Sequence, residues 1–281
     1  DHPAAEKDIG EFLGSGKRGI VIQSDLGSCI AGGDVIIDFT SHEASMRHME
    51  MAAEHKRPIV IGSTGFSADE MDRIRKFAQN VPCVLAPNMS VGVNVMFKLL
   101  KIVAETLGDD YDVEILEVHH RLKKDAPSGT ALKMAQVVAE ALGRELDEVG
   151  IYERKGLIGE RSKKEIGIQA LRAGDIVGEH TVIFGAVGER LELIHRAHSR
   201  DNFARGAIRA AKWVVRQEPG LYDMQDVLGF RKDQRGRGAP FVGVAAPEEL
   251  HQLHQQFAAR AQVLRVAQRL LGGGVERSDL A

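Results

Sequence analysis

The sequence predicts an α/β protein of two domains, a Rossmann-like parallel-sheet domain followed by an α+β domain with a mixed sheet. Three observations predict it. Short apolar runs alternate with helical patterns over the first third of the chain, the signature of parallel strands with right-handed crossovers. Runs with a period of two dominate the stretch from Val113 to Ala197, as in half-buried strands. Finally, 281 residues with 43% hydrophobic content are enough for a sizeable core and long for one domain. The boundaries that follow are 1–90 with 201–230 for the first domain, 91–200 for the second, and a trailing linker and helix over 231–281.

Taken in order, residues 1–15 are polar and glycine-bearing, a surface connection. Gly14-Ser15-Gly16-Lys17-Arg18-Gly19 spells G-x-G-x-x-G, but a dinucleotide fingerprint must follow a strand and open a helix. These glycines instead lead into Ile20-Val21-Ile22, so they are read as a turn before a strand. Val35-Ile36-Ile37-Asp38-Phe39 is a buried parallel-type run, and Thr40-Ser41-His42-Glu43 offers a capping box for a helix reaching about residue 56. Ile59-Val60-Ile61 runs into Gly62-Ser63-Thr64-Gly65, and Ser67-Ala68-Asp69-Glu70 caps the next helix. Cys83-Val84-Leu85-Ala86 is a third strand, ending at Pro87-Asn88-Met89. Ligands of open parallel sheets lie at the carboxyl ends of the strands. Small residues there allow a flat cofactor to touch backbone, although Gly, Ser and Asn serve turns and caps equally well.

Ser90 opens a long helix with Val95, Leu99, Ile102 and Val103 as its inner face. Three strands follow further on: Ile166 to Arg172, Glu179 to Phe184 and Arg190 to Ala197. With the strand before residue 120 they make four, and one helical layer leaves a sheet face in need of cover. His180, His195 and His198 alternate with apolar residues and are read as rim or interface groups without chemistry. A helix from Asp201 to Gln217, carrying Phe203, Ile208, Ala211, Trp213 and Val214, is expected to return to the first domain and close its sheet.

The densest chemistry lies in Glu117-Val118-His119-His120-Arg121-Leu122-Lys123-Lys124-Asp125-Ala126-Pro127-Ser128-Gly129-Thr130-Ala131. The period-two pattern before it puts His119 and His120 on opposite faces. After it, Leu132, Ala135, Val138 and Leu142 recur at helical spacing, with Gly143 as the stop. The free N–H groups of Ser128, Gly129 and Thr130 at a helix start attract anions, and Lys123 adds a movable positive charge. His119 can donate or take a proton near neutral pH. Singly, a cap and two lysines are ordinary surface features; together between a strand end and a helix start they point to a carboxylate site. A metal site is disfavoured, because adjacent strand histidines diverge and no further ligand sits at suitable spacing.

This stretch resembles the signature of the dihydrodipicolinate reductases, E-x-H-H-x-x-K-x-D-A-P-S-G-T-A, and the resemblance extends from Asp1-His2-Pro3 to about Leu228. It implies reduction of 4-hydroxy-tetrahydrodipicolinate with NADH or NADPH, with His119 and Lys123 catalytic, and His120, Ser128, Gly129 and Thr130 holding substrate. It also implies that Gly62, Ser63 and Thr64, with Ala86, Pro87, Asn88 and Met89, hold the nicotinamide end of the cofactor. A homotetramer formed by pairing of sheets is implied as well.

The chain departs from that pattern in two places. The family begins with a strand, a G-x-x-G-R-M-G loop and a helix that grip the cofactor's phosphates, and this sequence shows none of them, so the Rossmann-like domain is expected to be incomplete. An inactive oligomer subunit or anion-binding module, or a dehydrogenase of another small acid, are the competing expectations. Beyond residue 230 the sequence leaves the family, and Leu250, Leu253, Phe257, Leu264 and Leu271 form a helical stripe that ends at Gly272-Gly273-Gly274.

A net charge of −3 gives no case for nucleic acid. Only two cysteines, Cys29 and Cys83, suit a reducing compartment without disulfides. No apolar run approaches the roughly 18 residues of a membrane span, and no secretory leader precedes the first strand. The expectation is a cytoplasmic protein with a small dicarboxylate as partner, although the sequence opens on Asp1 without a methionine.

Overall fold

A computed structural model describes residues 3–231. The helix expected beyond residue 231 lies outside the described residues. The chain forms two compact units, one of residues 3–86 with Ala207–Val227, the other of Pro87–Gly206 with residues 228–231.

The first unit holds a parallel sheet in the order β1-β2-β3-β9, made of β1 (Ile36–Asp38), β2 (Ile59–Ile61), β3 (Pro82–Leu85) and β9 (Gly220–Tyr222). Strands of three or four residues suffice because they are buried on both faces: Ile59, Val60 and Ile61 are all fully enclosed. Between them run α2 (His42–Glu54) and α3 (Ala68–Phe77). The core joins Ile36, Met46, Met49, Ile59, Ile61 and Ile74. Helix α3 starts with the expected capping box, Ser67 and Glu70 satisfying each other's backbone N–H groups. The box expected at 40–43 does not form. Ser41 alone caps α2, while Thr40 turns back to bond Asp38 through its N–H (2.9 Å) and its hydroxyl (2.6 Å).

Two further expectations for this unit fail. The opening segment contains a short helix, α1 (Ile9–Phe12), and Ile20-Val21-Ile22 is no strand of the sheet; Val21 makes one isolated bridge to Asp8. The reason is the carboxylate of Asp8. It accepts backbone N–H bonds from Gly10, Glu11, Arg18, Gly19 and Ile20, so the glycine-rich loop wraps around it. Gly14, Gly16 and Gly19 all take positive φ to make that wrap. Strand β9 was not foreseen. It is three residues long, too short for a period, and Leu221 opposite Cys83 places it beside β3.

The second unit is a five-stranded mixed sheet in the order β5-β6-β4-β7-β8. Its strands are β4 (Asp112–His119), β5 (Gly150–Ile151), β6 (Ile166–Arg172), β7 (Gly178–Ala186) and β8 (Glu189–Ala197). The fifth strand, β5, is a two-residue addition parallel to β6. Helices α4 (Val91–Leu107) and α5 (Gly129–Ala141) cover one face, and the short α6 (Leu146–Val149) precedes β5. Val113, Ile115, Ile166, Ile168, Val182 and Phe184 point into this core.

The helix faces differ from those expected. In α4 the buried residues are Val93, Asn94, Met96, Phe97, Leu100 and Ala104, whereas Leu99 and Ile102 are exposed. This helix is apolar on more than one side, so periodicity alone could not choose its inner face. In α5 the buried set is Ala131, Met134, Ala135, Val138 and Ala139, with Leu132 exposed; Gly143 takes the positive φ of a helix stop as expected. Helix α7 (Asp201–Val214) buries Ala207, Ala210, Ala211 and Val214 and exposes Ile208. Its Gly206 lies against the Met89 carbonyl, 1.7 Å from where a Cβ would stand, so no side chain fits there. The chain ends its described part after α8 (Met224–Val227).

Candidate active site

Strand β4 alternates inward and outward, and the inward phase runs Val113, Ile115, Glu117, His119. A carboxylate therefore follows two core residues into the interior. Glu117 is fully buried, and its two oxygens take four donors. Arg172, opposite His119 on β6, forks onto both oxygens at 2.9 Å. The Ser128 N–H reaches Oε1 at 2.9 Å, and His119 Nδ1 lies 2.5 Å from Oε2. Burial alone would raise this carboxyl, but the bonds from His119, Arg172 and Ser128 outweigh it and hold Glu117 at about 2. It is ionised and neutralised in place.

This arrangement corrects one expectation. The N–H of Ser128 is not free for a ligand, since Glu117 occupies it, and the Ser128 hydroxyl accepts the Ala131 N–H as the α5 cap. The N–H groups of Gly129 and Thr130 remain, as the first two of the helix, without a hydrogen bond among the described residues. A Cβ at Gly129 would meet nothing within 4 Å, so space lies open over this helix start. The Ala126–Pro127 bond before it is cis.

His180 corrects another. It is 4% exposed rather than a rim residue, because it occupies the inward phase of β7 opposite Glu117. Its Nε2 lies 3.3 Å from Ser128 Oγ, and its ring meets His119 edge-on at 5.3 Å between centroids. Burial, then the neighbouring His119 and His195, push His180 down to about 3, so it is neutral at pH 7. His195 is half-buried on the same face, 6.3 Å from His180, and His198 is exposed.

The remaining motif residues surround this centre. Lys123 sits in the loop after β4, its ammonium 2.9 Å from both Asp125 oxygens. Arg172 also donates to the Asp125 carbonyl at 2.7 Å, tying that loop to the Glu117 cluster. His120 is partly buried; burial first, then the positive charges of Arg200, Lys123 and Arg172, lower its pKa, and His119 adds to them when protonated. That is the electrostatic mark of a place short of anions. The Asn88 side chain is held from both ends: it donates to Thr130 Oγ1 at 3.0 Å and accepts the Ser90 N–H at 2.8 Å. Asn88 and Thr130, separated by 42 residues in sequence, are thus brought together with the start of α4. Among the described residues no group of His, Cys, Asp and Glu could hold a metal ion.

In the first unit the expected cofactor residues stand at the carboxyl edge of the parallel sheet. Ser63 is buried and accepts from Ser45 Oγ at 2.9 Å, Thr64 is exposed, and Gly65 has a positive φ. The missing Cβ of Gly62 is accounted for by the Phe39 ring, 2.4 Å from where it would stand. Its glycine therefore serves packing in the first place. Beyond Phe39, the small residues Thr64 and Gly65 are exposed at this edge. Ala86 ends β3's run in the first unit, and Pro87 to Met89 begin the second.

Residues 1–89 match the family described as dihydrodipicolinate reductase, N-terminus, and residues 92–228 the corresponding C-terminus. The chain belongs to the dihydrodipicolinate reductase family. A 4-hydroxy-tetrahydrodipicolinate reductase of Syntrophus aciditrophicus is 99% identical over 231 residues, which are 82% of this chain and 86% of that relative. The reductase so named from Desulfotalea psychrophila is 59% identical over 230 residues, with the same coverage of 82% and 86%. Among solved structures, the dipicolinate-bound dihydrodipicolinate reductase of Paenisporosarcina sp. TG-14 superposes with a TM-score of 0.61 at 27% identity, covering 79% of this chain and 85% of that one.

Sequence reading had named His119, His120, Lys123, Ser128, Gly129 and Thr130, and it missed Glu117, Arg172 and His180 as parts of the same cluster. The signal for Glu117 and His180 was present: each is a polar residue in the inward phase of a strand. Arg172 had none, because its place depends on the β4–β6 register.

Proposed function

We propose that this chain catalyses the NAD(P)H-dependent reduction of 4-hydroxy-tetrahydrodipicolinate to tetrahydrodipicolinate, with loss of water, on the route to diaminopimelate and lysine. The observation that carries it is the 99% identity over 231 residues to a reductase of that name. The reading as an inactive subunit has no comparable support.

When bound, the nicotinamide nucleotide, NADH or NADPH, supplies the hydride. Gly62, Ser63 and Thr64, with Ala86, Pro87, Asn88 and Met89, hold its nicotinamide end. His119 handles the proton. Lys123 grips a substrate carboxylate and helps proton transfer, exchanging its Asp125 partner for the ligand. His120 and the N–H groups of Gly129 and Thr130 take the carboxylates, where the helix dipole favours negative charge. Ser128 presents that helix start through its cap. The chain acts as a homotetramer in the cytoplasm, assembled through the outer sheet face on which Leu171 and Ile194 are exposed. Among the described residues no helix is long and apolar enough to cross a membrane.

Lys123→Ala is expected to lose roughly 3 kcal/mol of transition-state stabilisation, on the order of a hundredfold in kcat/KM. Unaltered turnover in that variant would overturn the assignment. Pyridine-2,6-dicarboxylate is expected to compete with substrate in the unaltered protein, and NADH fluorescence on titration reports whether cofactor binds.

A further inference from the structure

Glu117 is not needed to bind anything from outside. It is fully enclosed, and each of its oxygens already has two donors: Arg172 and His119 on Oε2, Arg172 and Ser128 on Oε1. A carboxylate so placed can only accept, and so the hydrogen between it and His119 Nδ1 belongs to the imidazole. The other ring nitrogen, Nε2, has no hydrogen bond among the described residues and lies beside Gly178 of β7, 3.0 Å from where a Cβ would stand. A side chain at residue 178 would cover that nitrogen.

We propose that Glu117, held by the Arg172 fork and the Ser128 N–H, is a positioning residue that locks His119 as the tautomer with hydrogen on Nδ1, leaving Nε2 as the atom that gives and takes the proton. The inference rests on the reading of His119 as the proton-handling group. It goes further in naming the atom and the residues that select it. Arg172 has a separate part in this. Its permanent charge neutralises Glu117, so the carboxylate has a compensating cation that does not depend on His119.

Glu117→Gln is the decisive variant, because it keeps shape and exchanges one oxygen for an NH2 group. The Ser128 N–H is a fixed donor, so the amide oxygen must face it, which turns the amide nitrogen towards His119. His119 would then accept at Nδ1 and carry its hydrogen on Nε2. Nitrogen NMR of the full-length protein labelled with 15N-histidine, assigned by difference against His119→Gln, is expected to show Nδ1–H for the unaltered protein and Nε2–H for Glu117→Gln. The same variant is expected to lose on the order of 10³- to 10⁴-fold in kcat, as when a buried carboxylate no longer selects the tautomer of a catalytic histidine, with KM changed less than about threefold. An Nε2–H signal in the unaltered protein overturns the inference, and so does full kcat in Glu117→Gln. Full turnover in His119→Gln overturns the functional reading instead, while the tautomer of the unaltered protein is decided whether or not Glu117→Gln folds.

Discussion

Each unit has a buried carboxylate near the carboxyl end of a strand, with a histidine Nδ1 beside it: Asp38 with His48 at 3.0 Å in the first, Glu117 with His119 at 2.5 Å in the second. Their other partners differ. Asp38 takes the N–H and hydroxyl of Thr40, neutral donors from the next turn. Glu117 takes a guanidinium fork from another strand and a helix N–H. In both, burial pushes the carboxyl up and the bonds bring it below its ordinary value, with His48 the chief contributor at Asp38. Of the two carboxylates, only Glu117 has a permanent cation as a partner among the described residues. An imidazole beside Asp38 is the carboxylate's charged partner when protonated; one beside Glu117 is released from that duty. The two carboxylate–histidine pairs thus differ in whether a second group carries the compensating charge.

Removing that cation is the strongest way to break the contrast. Arg172→Met leaves Glu117 enclosed without its fork, and a loss of about 3–5 kcal/mol in stability is expected from an orphaned buried charge, read from urea unfolding.

Next in size is the acid response of His180, the neutral imidazole that only the second cluster contains. A histidine in an unfolded chain takes up its proton near pH 6.5, whereas His180 does so in the fold at about 3. Protons therefore favour the unfolded chain between those values, and stability present at neutral pH is lost as pH falls from 6.5 towards 3. By pH 4.5 the loss from this group is about 2–3 kcal/mol. The contribution of Glu117 is lost lower, as pH falls from its ordinary 4.5 through about 2. Urea midpoints of His180→Gln between pH 6.5 and 4.5 are expected to show a flatter slope than those of the unaltered chain.

Smallest is Asp38→Asn. The amide oxygen still accepts from Thr40, no permanent cation is orphaned, and a loss of about 1–2 kcal/mol is expected from the weakened His48 bond. A loss equal to that of Arg172→Met would remove the distinction between the two pairs.

The sheets were legible in the sequence wherever burial imposes a continuous apolar run or a period of two. Ile59-Val60-Ile61 and the inward phase of β4 are examples, as is the Ser67–Glu70 cap, whose chemistry is local. The cluster of charged and polar groups from His119 to Thr130 was legible because they are neighbours in the chain. What depended on pairing across the fold was not. Arg172 meets Glu117 only through the register of β4 with β6, and Asn88 meets Thr130 only once α4 and α5 are packed. The inner face of α4 was hidden by an excess of apolar residues, and Ser128 was credited with a donor that a buried side chain had already taken.

The loop around Asp8 carries a consequence of its own. Backbone N–H groups from Arg18, Gly19 and Ile20 converge as they do on phosphate in many glycine-rich loops, but the anion they hold is tethered by the chain itself, ten residues away at Arg18. Led by the Arg18 N–H, these bonds keep Asp8 down at about 2. A built-in occupant acts at an effective concentration on the order of millimolar, which a free phosphate must outcompete, like charge against like charge. Glycine spacing of the nucleotide-binding kind here marks a cradle that closes on its own sequence and stays shut to diffusing anions.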